Sequence, residues 1–288
     1  MPLYYEGGMF MLEINEVNFP GEKFREYISD TFDENKKGYL TQEELENVVE
    51  IDISREYDIK SVKGIECFPN LERLDCYSTE VTELDISKNL ELKFLNCSYT
   101  LITVLDVSKN TKLQKLLCNH IRITSLDISN NTALKQLNCI DNPQITSLDV
   151  SKNTVLTWLY CQNTGFTNLD ISNNLKLECL HCESTGIIKL DVSKNTALTS
   201  LDCGHTGITS LDVSKNTNLT WLYCQNTGIT ELDLSNNPDL KRLDCRETGI
   251  TELDVSKNPK LEDLYCDKIG LCLNTYTNPS LSRILIYR

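Results

Sequence analysis

The chain has 288 residues, 40% hydrophobic and 24% charged, too apolar for an acidic disordered chain. No run approaches the ~18 apolar residues of a membrane-spanning helix. With 42 acidic against 28 basic residues the net charge is −14, which argues against nucleic acid as a partner. The acid is uneven. Residues 1–60 hold 15 Asp and Glu against 6 Lys and Arg, so the first fifth of the chain carries most of the excess. Thirteen cysteines are too few for a disulfide scaffold and odd in number, so at least one has no partner within the chain. The opening MPLYYEGGMF lacks a basic stretch and an apolar core, and no signal peptide is visible. The chain reads either as cytoplasmic or as beginning after its signal.

Phe24, Tyr27, Ile28 and Phe32 recur at helical spacing, and Leu45, Val48 and Val49 mark a second helical stretch. Between them Thr41 and Glu44 have the spacing of a capping box, with Gly38 as the turn. The same loop resembles an EF-hand. Asp33, Asn35, Thr41 and Glu44 stand at its positions 1, 3, 9 and 12, Gly38 at 6, Tyr39 at the backbone-ligand position and Leu40 at 8. Lys37 stands where an oxygen ligand is expected, and no second loop pairs with the first. A simple helical hairpin and a weak calcium loop of Asp33, Asn35, Tyr39, Thr41 and Glu44 both fit. Calcium is the only cofactor any motif suggests. Either way, residues 1–50 read as a helical EF-hand-like cap.

Ten cysteines then set the organisation: Cys76, Cys97, Cys118, Cys139, Cys161, Cys182, Cys203, Cys224, Cys245 and Cys266. They recur every 21 residues, except for one interval of 22 where Pro143 adds a residue. Each sits in the phrase L-x-x-L-x-C-x-x-T-x-I-T-x-L-D-V-S-K-N. The halves are alike, each ending in apolar residues two apart, which is strand periodicity. Ten residues cannot hold both a useful helix and a turn. The expected unit is strand, turn, strand, turn.

The first half of the phrase resembles the leucine-rich repeat, with Cys for the third Leu and Thr for the usual Asn. The nested whole is similar to the 21-residue bacterial repeats called IRREKO-type and to internalin-like surface proteins. The resemblance covers 51–271 and implies a solenoid of about ten units. A parallel concave sheet would lie on one side and extended or 3-10 segments on the other, with residues 272–288 as a C-terminal capping strand. It also implies a helical cap before the repeats and an extracellular or cell-surface location.

Repetition predicts columns. Leu71 to Leu261, the ten cysteines, and Val81 to Leu271 by way of Phe166 should each stack as an apolar rib, because neighbouring coils lie ~4.8 Å apart. The asparagines from Asn89 to Asn258 should bond backbone at one corner and the threonines from Thr79 to Thr248 at the other, with Ile121 and Ile269 unable to do so. The ladder cysteines read as buried thiols, since their parallel Cβ vectors stay farther apart than a disulfide prefers. Cys67, Cys179 and Cys272 fall outside the ladder. Cys179 should be the most exposed thiol of the repeats. The nine Asp from Asp85 to Asp254 should form a solvated convex column.

The outward residues of the concave strands are the candidate binding surface: Phe94; Trp158, Tyr160 and Gln162; His181; Trp221, Tyr223 and Gln225; Arg242; and Tyr265. Both tryptophans lie in identical octapeptides, WLYCQNTG at 158–165 and 221–228, a likeness that duplication explains. Exposed aromatics on a rigid face are what binding hot spots use. Cys179, His181 and Glu183 beside Asp202 raise the question of a metal. However, same-face neighbours are ~6.5 Å apart along a strand, too far for tetrahedral zinc. No nucleophile–base set, paired catalytic carboxylates or phosphate loop is visible. The expected function is a non-catalytic, monomeric recognition module binding a protein. A carbohydrate surface and a structural spacer stand as alternatives.

Overall fold

The computed structural model describes residues 4–6, 9–267, 270–272 and 280–287. The chain divides into two compact units, residues 1–134 and 135–288.

In the first unit β1 (Tyr4–Glu6) pairs antiparallel with β2 (Met9–Glu13), and β2 pairs antiparallel with β3 (Tyr39–Thr41). Helix α1 (Glu22–Phe32) precedes β3, and α2 (Gln42–Asn47) follows it. The N-terminal segment is therefore not simply helical. Leu12 and Leu40 face each other across β2 and β3, and both are fully buried. The capping box forms as its spacing predicts, with the Thr41 hydroxyl accepting from Glu44 N. Val48 is buried but Val49 is exposed, because α2 ends at Asn47 and the chain runs on extended. Phe19 and Phe32 pack on Phe68, and Phe24 packs on Phe19, with ring centroids about 6 Å apart in each pair. Gly64 has φ 105°, and a Cβ there would meet the Phe19 ring. The strands β4 (Glu50–Asp52), β5 (Arg73–Asp75), β6 (Phe94–Asn96) and β7 (Lys115–Leu117) pair parallel and in register.

In the second unit the strands are β8 (Gln136–Asn138), β9 (Trp158–Tyr160), β10 (Cys179–His181), β11 (Ser200–Asp202), β12 (Trp221–Tyr223), β13 (Arg242–Asp244), β14 (Glu252–Asp254), β15 (Asp263–Asp267), β16 (Gly270–Cys272) and β17 (Arg283–Tyr287). Six of them, β8 to β13, pair parallel in chain order, and β15 and β17 continue the sheet. Arg288 lies outside the described residues. Of the expected second strand per unit, β14 and β16 alone pair among the described residues. The other second halves run extended and turn at Ser-Lys-Asn. A single backbone bond, such as Gly207 N to Ile187 O at 2.9 Å, ties the adjacent coils. Among the described residues the one 3-10 segment is Ile65–Cys67.

The columns are as regular as the spacing implies. Leu71 through Leu261 are all fully buried, the ladder cysteines are 0–2% exposed, and Val81 through Ile250 are 0–3% exposed. Leu271 and Ile269 lie outside the described side chains. The described cysteines form no disulfide. Burial pushes the thiols of Cys97, Cys139 and Cys203 up to about 12, so they stay protonated and unreactive. Several point the S–H at a carbonyl of the next coil, as Cys161 does to His181 O at 3.4 Å.

Both polar ladders form. Each Thr hydroxyl at the strand end donates to the carbonyl three residues back, as Thr206 does to Cys203 O at 2.6 Å. In the unit lengthened by Pro143, Asn142 does this work, donating to Cys139 O at 3.0 Å. Ile121 is buried at its corner instead. The residue before each of these positions is left-handed, with φ of 51–58° from Ser78 to Glu247, and none is glycine. Nothing in the repeat pattern announces this strain. Its compensation is visible, since the same residues donate their N–H to the next coil, as His205 does to Gln225 O at 2.8 Å.

At the other corner each Asn reaches back one coil. Asn174 Nδ2 donates to Val150 O at 3.0 Å and Asn153 O at 2.9 Å, from a fully buried position. The Asp column is solvated, and each Oδ1 accepts from the Ser two residues on, as Asp170 does from Ser172 N. Asn174→Ala removes two buried bonds and leaves a void, at a cost of roughly 1–3 kcal/mol. Asp170→Ala loses one exposed turn bond and relieves repulsion from Asp149 and Asp191. Urea midpoints should fall clearly for Asn174→Ala and much less for Asp170→Ala. Equal losses would show that the second half-repeat does not close as described.

Candidate functional site

Parallel in-register pairing places one outward row from each strand beside the next, so the face of the second unit's sheet can be read as a grid. Trp158, Cys179, Ser200 and Trp221 lie side by side, and next to them Tyr160, His181, Asp202 and Tyr223. The two tryptophans are 41% and 46% exposed, whereas Cys179 and Ser200 between them are 7% and 4% exposed. Short side chains flanked by indoles produce a depression of about 360 Å³, which Arg242 on β13 also borders. The sequence marked the aromatics. It did not mark the two small residues that make the space between them.

Several other outward positions are buried, namely Asp75, Asn96, Ser98, Asp244 and Asp263. Asp244 lies between Tyr223 and Tyr265, and Asp263 between Arg242 and Arg283, all longer. Cys179 is the clearest correction, since it is buried and less open than the half-buried Cys67. Burial raises its thiol, although bonds with Tyr160 and Ser200 pull the other way. Cys272 lies outside the described side chains.

The polar groups of the floor are tied together. His181 Nε2 lies 2.9 Å from Ser200 Oγ, and its ring stands edge-on to Tyr160 at 5.2 Å. Burial lowers its pKa, so the imidazole is neutral near pH 7. Asp202 is raised to about 7, first by burial and then by Glu183, against a bond from Gly204 N. Gln225 lies against Gly204, where any Cβ would strike its amide. Beyond Trp221 the arginines are committed, Arg242 to Asp263 at 2.7 Å and Arg246 Nε to Asp244 at 2.8 Å. Tyr265 faces Arg246 at 5.4 Å from its ring centre. Gln162 ends the row that Trp158 begins. Phe94 belongs to the first unit, where the Arg73 guanidinium covers its ring at 3.7 Å and Lys115 approaches at 5.7 Å. Among the described residues no three His, Cys, Asp or Glu side chains gather as a metal set.

In the cap, the loop residues do not fit calcium as they stand. Asp33 is turned inward and accepts from Lys37 N and Gly38 N at 2.9 and 2.7 Å. The ammonium of Lys37 bonds both oxygens of Glu44 at 3.0 Å, the carboxylate that would close a calcium site. Desolvation alone would raise Glu44, but the bonds from Thr41 and Lys37 outweigh it and hold the carboxyl below its ordinary value. Lys37 also lies 5.0 Å from the Tyr39 ring centre. Asn35 and Tyr39 keep the loop positions the spacing gave them, with Asn35 exposed.

Stacked parallel coils with apolar columns, an Asn ladder and an open sheet face define a leucine-rich repeat solenoid. Among solved structures similar to the chain is the functional domain of InlJ from Listeria monocytogenes, which includes a cysteine ladder. It is 34% identical with a TM-score of 0.90, covering 96% of this chain and 61% of that one. An internalin, InlF, from the same organism is 21% identical with a TM-score of 0.74, over 96% and 93% of the two chains. The ectodomain of the Arabidopsis thaliana receptor kinase GASSHO1/SCHENGEN3, in complex with CASPARIAN STRIP INTEGRITY FACTOR 2, is 18% identical with a TM-score of 0.73, over 84% and 33%. The last two likenesses concern the fold alone. No protein-family model and no curated protein matches the chain. The chain is an internalin-like leucine-rich repeat protein and spans about three fifths of the InlJ chain. No helix among the described residues is long and apolar enough to cross a membrane.

Two outcomes follow from these geometries. A carboxyl whose folded pKa lies above its unfolded one binds more protons in the folded state, so it costs stability increasingly as pH rises from about 4 to about 7. Asp202→Asn should therefore raise the urea midpoint at pH 8, with an advantage that shrinks steadily toward pH 4. A flat difference would mean that Asp202 is ionised throughout. In the cap, the melting temperature should be the same in chelator and in millimolar calcium, because Lys37 already neutralises Glu44. A rise of several degrees with calcium would show a ligand held by the native state alone and a loop that rearranges to take it.

Proposed function

We propose that the chain is a non-catalytic recognition module that binds a protein ligand through the outward face of its parallel sheet. The observation that carries this reading is the placing of both tryptophans of the chain, half-exposed, on one rigid face with Tyr160 and Tyr223 beside them. Exposed indoles on a preformed surface lose little entropy on binding and bury much area, the profile of interface hot spots. The likeness to InlJ supports recognition as the role and display at or outside a bacterial surface as the setting. A sugar-binding reading draws on the same aromatics, whereas a spacer would need none of them.

The test sets the chain and its Trp158→Ala/Trp221→Ala variant against an array of extracellular proteins and a glycan array. A protein bound by the parent and lost in the variant, with an unchanged melting temperature, is the expected result. Binding of glycans alone, or protein binding that survives both substitutions, would overturn the proposal.

A further inference from the structure

The outward row that contains Trp221 continues past the depression. In register it runs Trp221, Arg242, Asp263 and Arg283, one residue from each of β12, β13, β15 and β17. Asp263 is buried between the two guanidiniums. Arg242 takes its Oδ2 through Nη2 at 2.7 Å and Nε at 3.0 Å, whereas Arg283 Nε stands 3.8 Å from Oδ1. The last distance is too long for a hydrogen bond. One carboxylate therefore serves two cations and holds only one of them firmly.

The charge at this place does not balance. Arg246, in the next row, has Asp244 to itself. Arg242 and Arg283 share Asp263, and among the described residues neither touches a second carboxylate. The surplus faces outward, because the Asp263 side chain is 11% exposed and those of Arg242 and Arg283 are 44% and 60% exposed. A guanidinium does not shed its proton in proteins, so the surplus of one positive charge persists across the working pH range. Two phenols extend the donor set. Arg242 Nη1 lies 3.5 Å from the Tyr223 hydroxyl, and Arg283 Nη1 lies 3.4 Å from that of Tyr265. A phenol that accepts from an arginine keeps its own proton for another acceptor.

The size of the surplus fixes the ligand group. A carboxylate carries the single negative charge that completes two cations and two anions. A phosphate ester, at about −1.5 to −2, would overshoot it. The planar fork of a guanidinium also matches the two oxygens of a carboxylate. Apolar surface flanks the place on both sides, with half-exposed Trp221 beside Arg242 and exposed Leu285 beside Tyr265.

We propose that Arg242 and Arg283 together seat an acidic side chain of the ligand, a glutamate or aspartate whose carboxylate bridges the two guanidiniums above Asp263 while an apolar neighbour rests on Trp221. The assignment rests on the reading of this face as a protein-recognition surface and adds the charge that the face selects. The chain as a whole, at −14, repels acidic partners at long range. The seat therefore acts in the docked complex, as specificity, and does not speed the encounter.

The probe is the blocked pentapeptide acetyl-Phe-Ser-Glu-Ser-Phe-amide, whose alternate side chains share one face when it is extended. Its partner in the comparison carries Gln in place of Glu. Binding is followed by tryptophan fluorescence, because Trp221 neighbours Arg242 in the row, and salt at 0.15 M screens the overall charge. We expect a saturable change, with the Glu peptide bound about tenfold more tightly than the Gln peptide. Arg283→Gln leaves Arg242 and Asp263 balanced and should bring the two peptides within about twofold of each other. Asp263→Asn leaves both cations unmatched and should widen the preference, an effect that a merely structural Asp263 would not give. Lys215→Gln, which removes the same charge as Arg283→Gln from the convex side, should leave the preference unchanged.

No saturable change, equal binding of the two peptides, a preference that survives Arg283→Gln or narrows in Asp263→Asn, or an equal loss in Lys215→Gln would each overturn the assignment. The two readings fail separately. A protein partner lost in Trp158→Ala/Trp221→Ala, together with peptides that show no charge preference, removes the acidic seat and keeps the recognition face. A preference for the Glu peptide with no protein partner on the array overturns the protein reading and leaves a carboxylate seat.

Discussion

Everything in this chain follows from stacking identical coils in register at the spacing of a parallel sheet. Once that spacing holds, an inward residue has its own counterpart above and below it. The side chain chosen at a position must then be compatible with itself, and this is a narrower demand than being hydrophobic. Cysteine meets it at the tightest column because its single heavy atom beyond Cβ fills the gap without crowding its neighbour. Its weak S–H can also be spent on the next carbonyl. Asparagine meets it at the turn, where one amide reaches two carbonyls of the preceding coil. Within each unit the leucine, cysteine and isoleucine columns run from coil to coil, so a change at one coil is felt mainly by the two beside it.

The same constraint makes the outer face informative. Inward positions cannot vary without disturbing a column, so variation collects on the outward rows, and the shape of that face is set by which side chains are long. Trp158 and Trp221 rise because Cys179 and Ser200 do not. Two copies of one octapeptide, separated by two coils of smaller residues, give a walled space that neither copy makes alone. Duplication accounts for the identity of the walls, and the short Cys179 and Ser200 are what leave the space between them.

The columns, the corner ladders and the parallel sheet were legible because each rests on an exact spacing repeated ten times. The left-handed corners from Ser78 to Glu247 were not, since serine, tyrosine, histidine and glutamate stand where glycine would have signalled them. Asn142 escaped for a related reason, as the inserted residue moved the donor one step out of phase. In the N-terminal segment the helix spacing was plain, but β1 and β2 came from a stretch too short and too glycine-rich to show a period. At the site, the aromatic rows were readable from alternation. The depth between them and the burial of Cys179 depended on comparing the sizes of neighbours on adjacent strands. That comparison needs the register in three dimensions.

The Asn ladder has a direction. Asn89, Asn110, Asn174, Asn195, Asn216 and Asn237 each donate to carbonyls 21 and 24 residues earlier in the chain. For this ladder a coil leaving the ribosome finds its acceptors already built, while its corner N–H and cysteine S–H groups find theirs when the following coil arrives. Synthesis runs at about 5–20 residues per second, so a new 21-residue coil becomes available every one to four seconds. That is ample time for it to settle on the one before. Assembly can then proceed as vectorial growth on a template of its own making, with the N-terminal cap as the first surface and each finished coil as the next.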